Sequence, residues 1–242
     1  MSGIYVPFLR WYFRRTRETL YYEGPHILLW RAMVKCLSPL GYLNLVTFYQ
    51  KDLCQPLGEI RANAEVQVSQ ATESDTERLV TLAIGQDPPG KARGLNKKRD
   101  IEDMILRRFR QGSRCFVGRI GTNIVHYNWI FFHRVERWSA GKVSYIHLLG
   151  NDEAFCDDAY TVDEWRGRGI HTIVQKQMLL FLKQAGYCRV YTISKSANRS
   201  SQKTHRRLGW ESCGKMLYFH PRGQEKAWRR KVSGTPPRPF VE

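Results

Sequence analysis

The chain has 242 residues, 42% hydrophobic and 25% charged, with a formal net charge of +17. That length suits one domain with an appendage and can bury a core without staples, while no apolar run approaches the ~18 residues that a membrane span needs. Six cysteines are scattered without a Cys-x-x-Cys pair, so the spacing gives neither a zinc site nor a disulfide framework and points to a reducing, cytoplasmic setting.

The first 60 residues read as an extension. Tyr5 to Tyr22 mixes Phe8, Leu9, Trp11, Tyr12 and Phe13 with Arg10, Arg14, Arg15 and Arg17. It lacks an apolar core before a small-residue cleavage site, so no signal peptide is expected. Its aromatics are clustered rather than segregated, which favours packing on a sheet edge over a membrane-surface element. Ile27-Leu28-Leu29-Trp30 with Met33, Val34 and Leu37 fits a short helix, broken by Ser38-Pro39 and Gly41, and Leu45 to Tyr49 fits a strand.

Regular texture begins near residue 61. Val66 and Val68 alternate as in a strand, Glu73-Ser74-Asp75 opens a helix with Leu79 and Leu82, and Asp100 to Arg110 forms a second helix. Strands are predicted over Arg114 to Ile120 and Ile124 to Phe132 around a Gly121-Thr122-Asn123 turn, then over Lys142 to Leu149 and Ala154 to Val162. A helix over Arg168 to Ala185, a strand over Arg189 to Ser194, a helix over Ser200 to Leu208 and a strand over Ser212 to Phe219 complete the set. The result is an α+β fold: a mixed, mostly antiparallel sheet with flanking helices and one embedded βαβ unit. From 222 the chain is a basic, proline-containing tail that reads as loose. From Lys195 to Glu242 there are 12 Lys+Arg against 3 Asp+Glu, and Lys91, Arg93, Lys97, Lys98 and Arg99 make a second basic cluster. Such a field favours anionic partners, among them nucleotides, anionic lipid or an acidic carrier protein.

Chemistry concentrates where a strand meets a helix, at Thr161-Val162-Asp163-Glu164-Trp165-Arg166-Gly167-Arg168-Gly169-Ile170. Two glycines let the backbone bend and approach a ligand. The free amides of the next helical turn converge on one point, where the helix dipole favours an anion. Arg166 and Arg168 can add charge-assisted contacts to phosphate. The pattern is neither the dinucleotide-binding glycine fingerprint nor a P-loop.

At this loop the chain resembles the GNAT superfamily of N-acetyltransferases. Arg166, Gly169 and Ile170 fit its pyrophosphate signature, while His171 replaces a final Gly/Ala and Thr161 and Asp163 replace a Val and a Pro. Asn198-Arg199-Ser200-Ser201 followed by Leu208-Gly209-Trp210 is similar to the family's Asn-x-x-Ser segment. The resemblance runs from about 65 to 221, which defines the core domain as 61–221. It implies acyl transfer from acetyl-CoA, or another acyl-CoA, to a small-molecule or peptidic amine without a metal. Coenzyme contacts would come from Tyr160, Thr161, Val162, Arg166, Gly167, Arg168, Gly169, Ile170, His171, Asn198, Ser201 and Lys203, with the strands ending at Thr161 and Ser194 splayed around the pantetheine arm.

Aminolysis of a thioester needs a base and an acid. His205 stands where the family often has an acidic tyrosine, so an imidazolium there is the expected proton donor, with Tyr191 and Tyr218 in reserve. Asp157, Asp158 and Glu153 are the candidate bases. By strand alternation Asp157 and Asp158 face opposite sides, and Glu153 shares a face with Asp157. Rival readings keep the fold with a long-chain acyl-CoA or acyl carrier protein as donor, or make the chain a non-catalytic basic protein that binds membranes or other polyanions. Nucleic acid is not expected as a partner, and a homodimer stays open.

Overall fold

A computed structural model describes residues 16, 20, 25–57, 66–85, 95–139, 142–222 and 228–234. Nearly all of Tyr5–Tyr22, the Pro88–Gly94 loop and the basic residues Lys91 and Arg93 therefore lie outside the described residues. The elements run α1 (Pro25–Leu37), β1 (Gly41–Asp52), β2 (Gln67–Gln70), α2 (Thr76–Gly85), α3 (Leu95–Arg110), β3 (Arg114–Ile120), β4 (Asn123–Phe132), β5 (Arg134–Ser139) and β6 (Lys142–Leu148). They continue as β7 (Glu153–Thr161), α4 (Ile170–Gln184), β8 (Arg189–Lys195), α5 (Arg199–Arg207), β9 (Glu211–Pro221) and β10 (Trp228–Gly234).

Eight strands form one sheet in the order β10-β9-β1-β8-β7-β4-β3-β2, and β5 and β6 form a separate two-stranded sheet. Only β7 and β8 pair in parallel among these neighbours, joined through α4 as a βαβ unit. This is the α+β architecture read from the sequence.

Each helix sits where its apolar stripe directs it. Ile170, Val174, Met178 and Leu182 recur at helical spacing on α4 and are all buried. They pack on Val125, Ile130, Cys156 and Val190 of the sheet, each aliphatic side chain contributing roughly 2 kcal/mol relative to exposure. On the opposite face Leu79, Val80 and Ile105 of α2 and α3 cover Cys115, Val117, Tyr127 and Trp129. Phe48, Phe155, Tyr191 and Ile193 extend that second face towards β1, with Phe131 bridging the two groups.

Two placements differ from the sequence reading. β1, grouped there with the N-terminal extension, lies inside the sheet, paired with β8 on one side and β9 on the other. Its alternation of Phe48 and Tyr49 between the two cores shows why it belongs there, but a lone strand's partners are set by contacts distant in sequence. The tail is also not wholly loose: β10 pairs with β9 as an edge strand, with a register shift between Lys231 and Ser233. Its charged, proline-flanked sequence hid it, because edge strands are commonly charged.

Candidate functional site

β7 and β8 are hydrogen-bonded only from Glu153/Arg189 to Cys156/Thr192. Beyond that point β7 runs on to Thr161 and β8 to Lys195, each held by its outer neighbour: Thr161 stays opposite His126, and Ser194 opposite Thr47. The two strands thus part into a cleft, as the sequence reading expected of the strands ending at Thr161 and Ser194.

The cause is local. Between Trp129/Asp157 and Tyr127/Tyr160 the register shifts, so three steps on β7 match two on β4. Asp158 takes a left-handed conformation, φ 54°. Such a bulge bends the strand and raises its twist, turning the end of β7 away from β8. The Asp158 carboxylate is held 2.5 Å from the Arg108 guanidinium on α3, which lies over the Trp129 ring at 5.1 Å.

This bulge overturns one expectation. Asp157 stands opposite Trp129, and Asp158 meets Arg108 above that same ring. Both carboxylates therefore lie on the α2/α3 face, because the extra residue interrupts side-chain alternation. Glu153 shares that face, as expected, but is occupied: it accepts from Gly150 N at 2.9 Å and from the Tyr191 hydroxyl at 3.0 Å. It also starts β7, about 25 Å from Thr161 at strand rise.

The loop after β7 forms a short 3-10 turn, Asp163–Trp165, then Gly167 and Gly169 at φ 79° and 80°. Gly169 is the N-cap of α4, and no side chain caps that helix. The first amides of α4 thus have no intrahelical acceptor and keep the positive end of the dipole. Gly118 on β3 seats this helix start: a Cβ there would meet Ile170 and Val174 methyls at 3.2 Å.

Arg166 is spent within the loop. Its Nε donates to the Thr161 carbonyl at 3.1 Å and its guanidinium pairs with Asp163 at 2.6 Å, so it fixes the turn rather than reaching over the helix start. Arg168 is exposed and lies over the Trp165 ring at 4.5 Å. Val162 N donates to Val125 O at 3.0 Å, which removes one expected pantetheine contact. By strand alternation the Thr161 N–H points the other way, into the cleft. Tyr160 turns its hydroxyl to Gly85 O at 3.3 Å.

His171 points inward. Its Nδ1 lies 3.5 Å from Nε2 of the fully buried His126, whose Nδ1 lies 2.8 Å from the Thr161 hydroxyl. Burial, then His171, pushes His126 well below the ordinary histidine range, and burial brings His171 down to about 4.

Asn198 caps α5 by accepting from Ser201 N at 3.1 Å, and Ser201 Oγ lies 3.0 Å from His205 Nε2. These two residues shape the helix start, and Lys203 is exposed on its outer side. His205 is 1% exposed, its ring against Tyr49 at 4.7 Å and edge-on to Trp210 at 5.6 Å. Burial, and secondarily His171, lowers it to about 3. It is a neutral imidazole at neutral pH, not the imidazolium donor the sequence reading expected. Burial raises the Tyr49 phenol against the pull of the Ser194 and Thr47 hydroxyls. Tyr49 was missed from sequence, because only the pairing of β1 with β8 brings it beside Ser194. The reserve tyrosines, Tyr191 and Tyr218, lie on the other face with Phe155. Among the described residues no group of His, Cys, Asp and Glu is arranged to hold a metal.

No family model and no curated protein sequence matches the chain. Solved structures do. A conserved protein of unknown function from Staphylococcus epidermidis superposes with a TM-score of 0.53 at 10% identity, over 77% of this chain and 64% of that one. A GNAT-family acetyltransferase from Colwellia psychrerythraea superposes with 0.51 at 13% identity, over 78% of this chain and 60% of that one. The chain thus spans less than two thirds of either neighbour. The chain shares its fold with these structures, one of which is a GNAT-family acetyltransferase.

Proposed function

We propose that the chain is an N-acyltransferase that moves an acetyl or other acyl group from acyl-CoA to a primary amine within one ternary complex. The observation that carries this reading is the cleft between β7 and β8, opening beside a helix whose N-terminus no side chain caps. The pyrophosphate of the coenzyme would sit on the amides of Gly169, Ile170 and His171, and the pantetheine arm would lie in the cleft against the Thr161 N–H.

In this reading Asp157 is the base. It is the first β7 residue past the last β7–β8 pair and faces the side away from α4 and α5. It takes a proton from the attacking amine as the C–N bond forms and the C–S bond breaks. The leaving thiolate takes a proton from the Tyr49 hydroxyl, which burial keeps protonated, and His205 positions that ring. Asp158 sets the bulge and Glu153 braces the foot of β7. Arg166 orders the loop, and the cluster around Asn198 and Ser201 fixes α5. The six cysteines are free thiols, in keeping with a cytoplasmic enzyme.

The test is coenzyme turnover by the purified chain, read as thiol release from acetyl-CoA with a panel of primary amines. Amine-dependent release is expected. Asp157→Asn should lower kcat/KM about 10²-fold with coenzyme affinity unchanged. No release with any amine, together with no thermal protection by either acetyl-CoA or a long-chain acyl-CoA, rules the function out.

A further inference from the structure

Cys54 and Cys188 take no part in the cleft. They stand far apart in sequence, and the fold sets them side by side. Asp52 ends the pairing of β1 with β8, opposite Arg189. Leu53 N then donates to Cys188 O at 2.9 Å, so Cys54 stands one step beyond the residue that faces Cys188. That step puts their Cα atoms roughly 6 Å apart, within the span that a disulfide bridges without moving the backbone. The side chains also meet. The Asp52 carboxylate first, and then the Cys188 thiol, raise the Cys54 thiol through charge and side-chain hydrogen bonding.

The segment carrying Cys54 is tethered on both sides. Cys54 N donates to Asp52 Oδ1 at 2.8 Å, and the Gln55 carbonyl accepts from Lys183 Nζ of α4 at 3.2 Å. Cys188 is held by its own N–H, which donates to Asp152 O at 3.0 Å. Both thiols are exposed. The other cysteines differ. Cys115 and Cys156 are buried, and burial pushes their thiols up. Cys213 is half-buried and raised to about 11, again by burial. Cys36 is exposed on α1, outside this strand pair.

We infer that Cys54 and Cys188 form a redox-responsive dithiol, which a small-molecule disulfide such as oxidised glutathione converts to a bond joining β1 to the start of β8. The Asp52 charge keeps Cys54 protonated to higher pH, so Cys188 attacks first. Its thiolate bonds to one glutathione sulfur as the S–S bond breaks, and one glutathione leaves as thiolate. Cys54 then gives up its proton and attacks the Cys188 sulfur, releasing the second glutathione. The protein loses two electrons and two protons, and the glutathione disulfide gains them. Because the second thiol is already held beside the first, this internal step outruns capture of a second glutathione. The bond closes at the end of β8 where Arg189 stands opposite Glu153, away from the end at which the cleft opens. It staples the inner strand β1 and closes a loop of more than half the chain, which restricts the unfolded state.

The test equilibrates the native full-length chain at about pH 8 in glutathione buffers stepped from reduced to oxidised, then quenches with acid for peptide mapping. The expected product is a peptide pair linked through Cys54 and Cys188, two hydrogens lighter than its reduced halves. The wild type should melt at a higher temperature in oxidised than in reduced buffer, and dithiothreitol should reverse the rise. Cys54→Ser should melt like the reduced wild type, since the side chain is exposed, and should stop at a glutathione adduct on Cys188. Cys188→Ser should likewise stop at an adduct on Cys54. Persistent glutathione adducts on both thiols of the wild type overturn the inference. So does a bond from either to another cysteine, no reaction in the most oxidising buffer, or an oxidised chain that melts no higher. The readout needs neither coenzyme nor amine, so its failure and a failure of acyl transfer are distinguishable.

Discussion

Asp158 shows how much one residue's backbone can decide. It is a non-glycine residue at φ 54°, a conformation that costs roughly 1–2 kcal/mol without a glycine, and its carboxylate recovers part of this through Arg108. Asp158→Gly and Asp158→Ala both lose the ion pair, but only glycine relaxes the backbone. Urea unfolding should therefore find Asp158→Gly more stable than Asp158→Ala by about 1 kcal/mol. The desolvated histidines make a second prediction at this scale. With folded-state values depressed, to about 4 for His171 and about 3 for His205, the unfolded chain binds more protons below its ordinary value near 6.5. Stability should be unaffected by these groups above pH 6.5 and fall as pH drops from there towards 4. His171→Gln should flatten that slope by about one proton, or roughly 1.4 kcal/mol per pH unit, when urea midpoints are followed from pH 7 to 4.

At the scale of elements, the start of α4 rests on close contact with β3. A Cβ on Gly118 would lie 3.1 Å from a Val66 methyl and 3.2 Å from methyls of Ile170 and Val174. Gly118→Val should push α4 outward and cost about 1–3 kcal/mol in denaturant unfolding, and on the proposed function it should also weaken coenzyme binding, because the displaced turn carries the proposed anion site. This scale also shows what the sequence made legible. The loop from Thr161 to Ile170 and the segment from Asn198 to Trp210 were readable because glycines, a cap and helical spacing are local signals. The bulge in β7 was not, since the shift exists only relative to β4, and strand alternation carried past it misplaced Asp158. Arg166 and His171 were identified by position as contacts, but their partners, Asp163 and His126, depend on how the loop turns back on itself.

For the whole molecule, the order of the sheet makes residues beyond the 61–221 core necessary to it. β1 separates β8 from β9, so its removal leaves two inner strands with open edges and strips Tyr49 from its packing on His205. Deleting residues 1–52, which takes β1 with it, should give insoluble protein. Circular dichroism and solubility would check this. The strand at β1 was read from its sequence, but its place between β8 and β9 was not, for the same reason that Tyr49 was missed: nothing local named its neighbours. The basic composition, by contrast, announced an anionic partner without choosing one, since charge alone carries no shape.

The central claim, that the α4 N-terminus and the cleft beside it hold an acyl-CoA, is tested most directly by calorimetric titration of acetyl-CoA into the wild-type chain and Gly169→Asp. This account predicts saturable one-to-one binding in the micromolar to millimolar range typical of enzyme substrates, abolished when a carboxylate is set against the pyrophosphate on a still-folded chain. Absence of binding to the wild type, or equal binding to the variant, would contradict it.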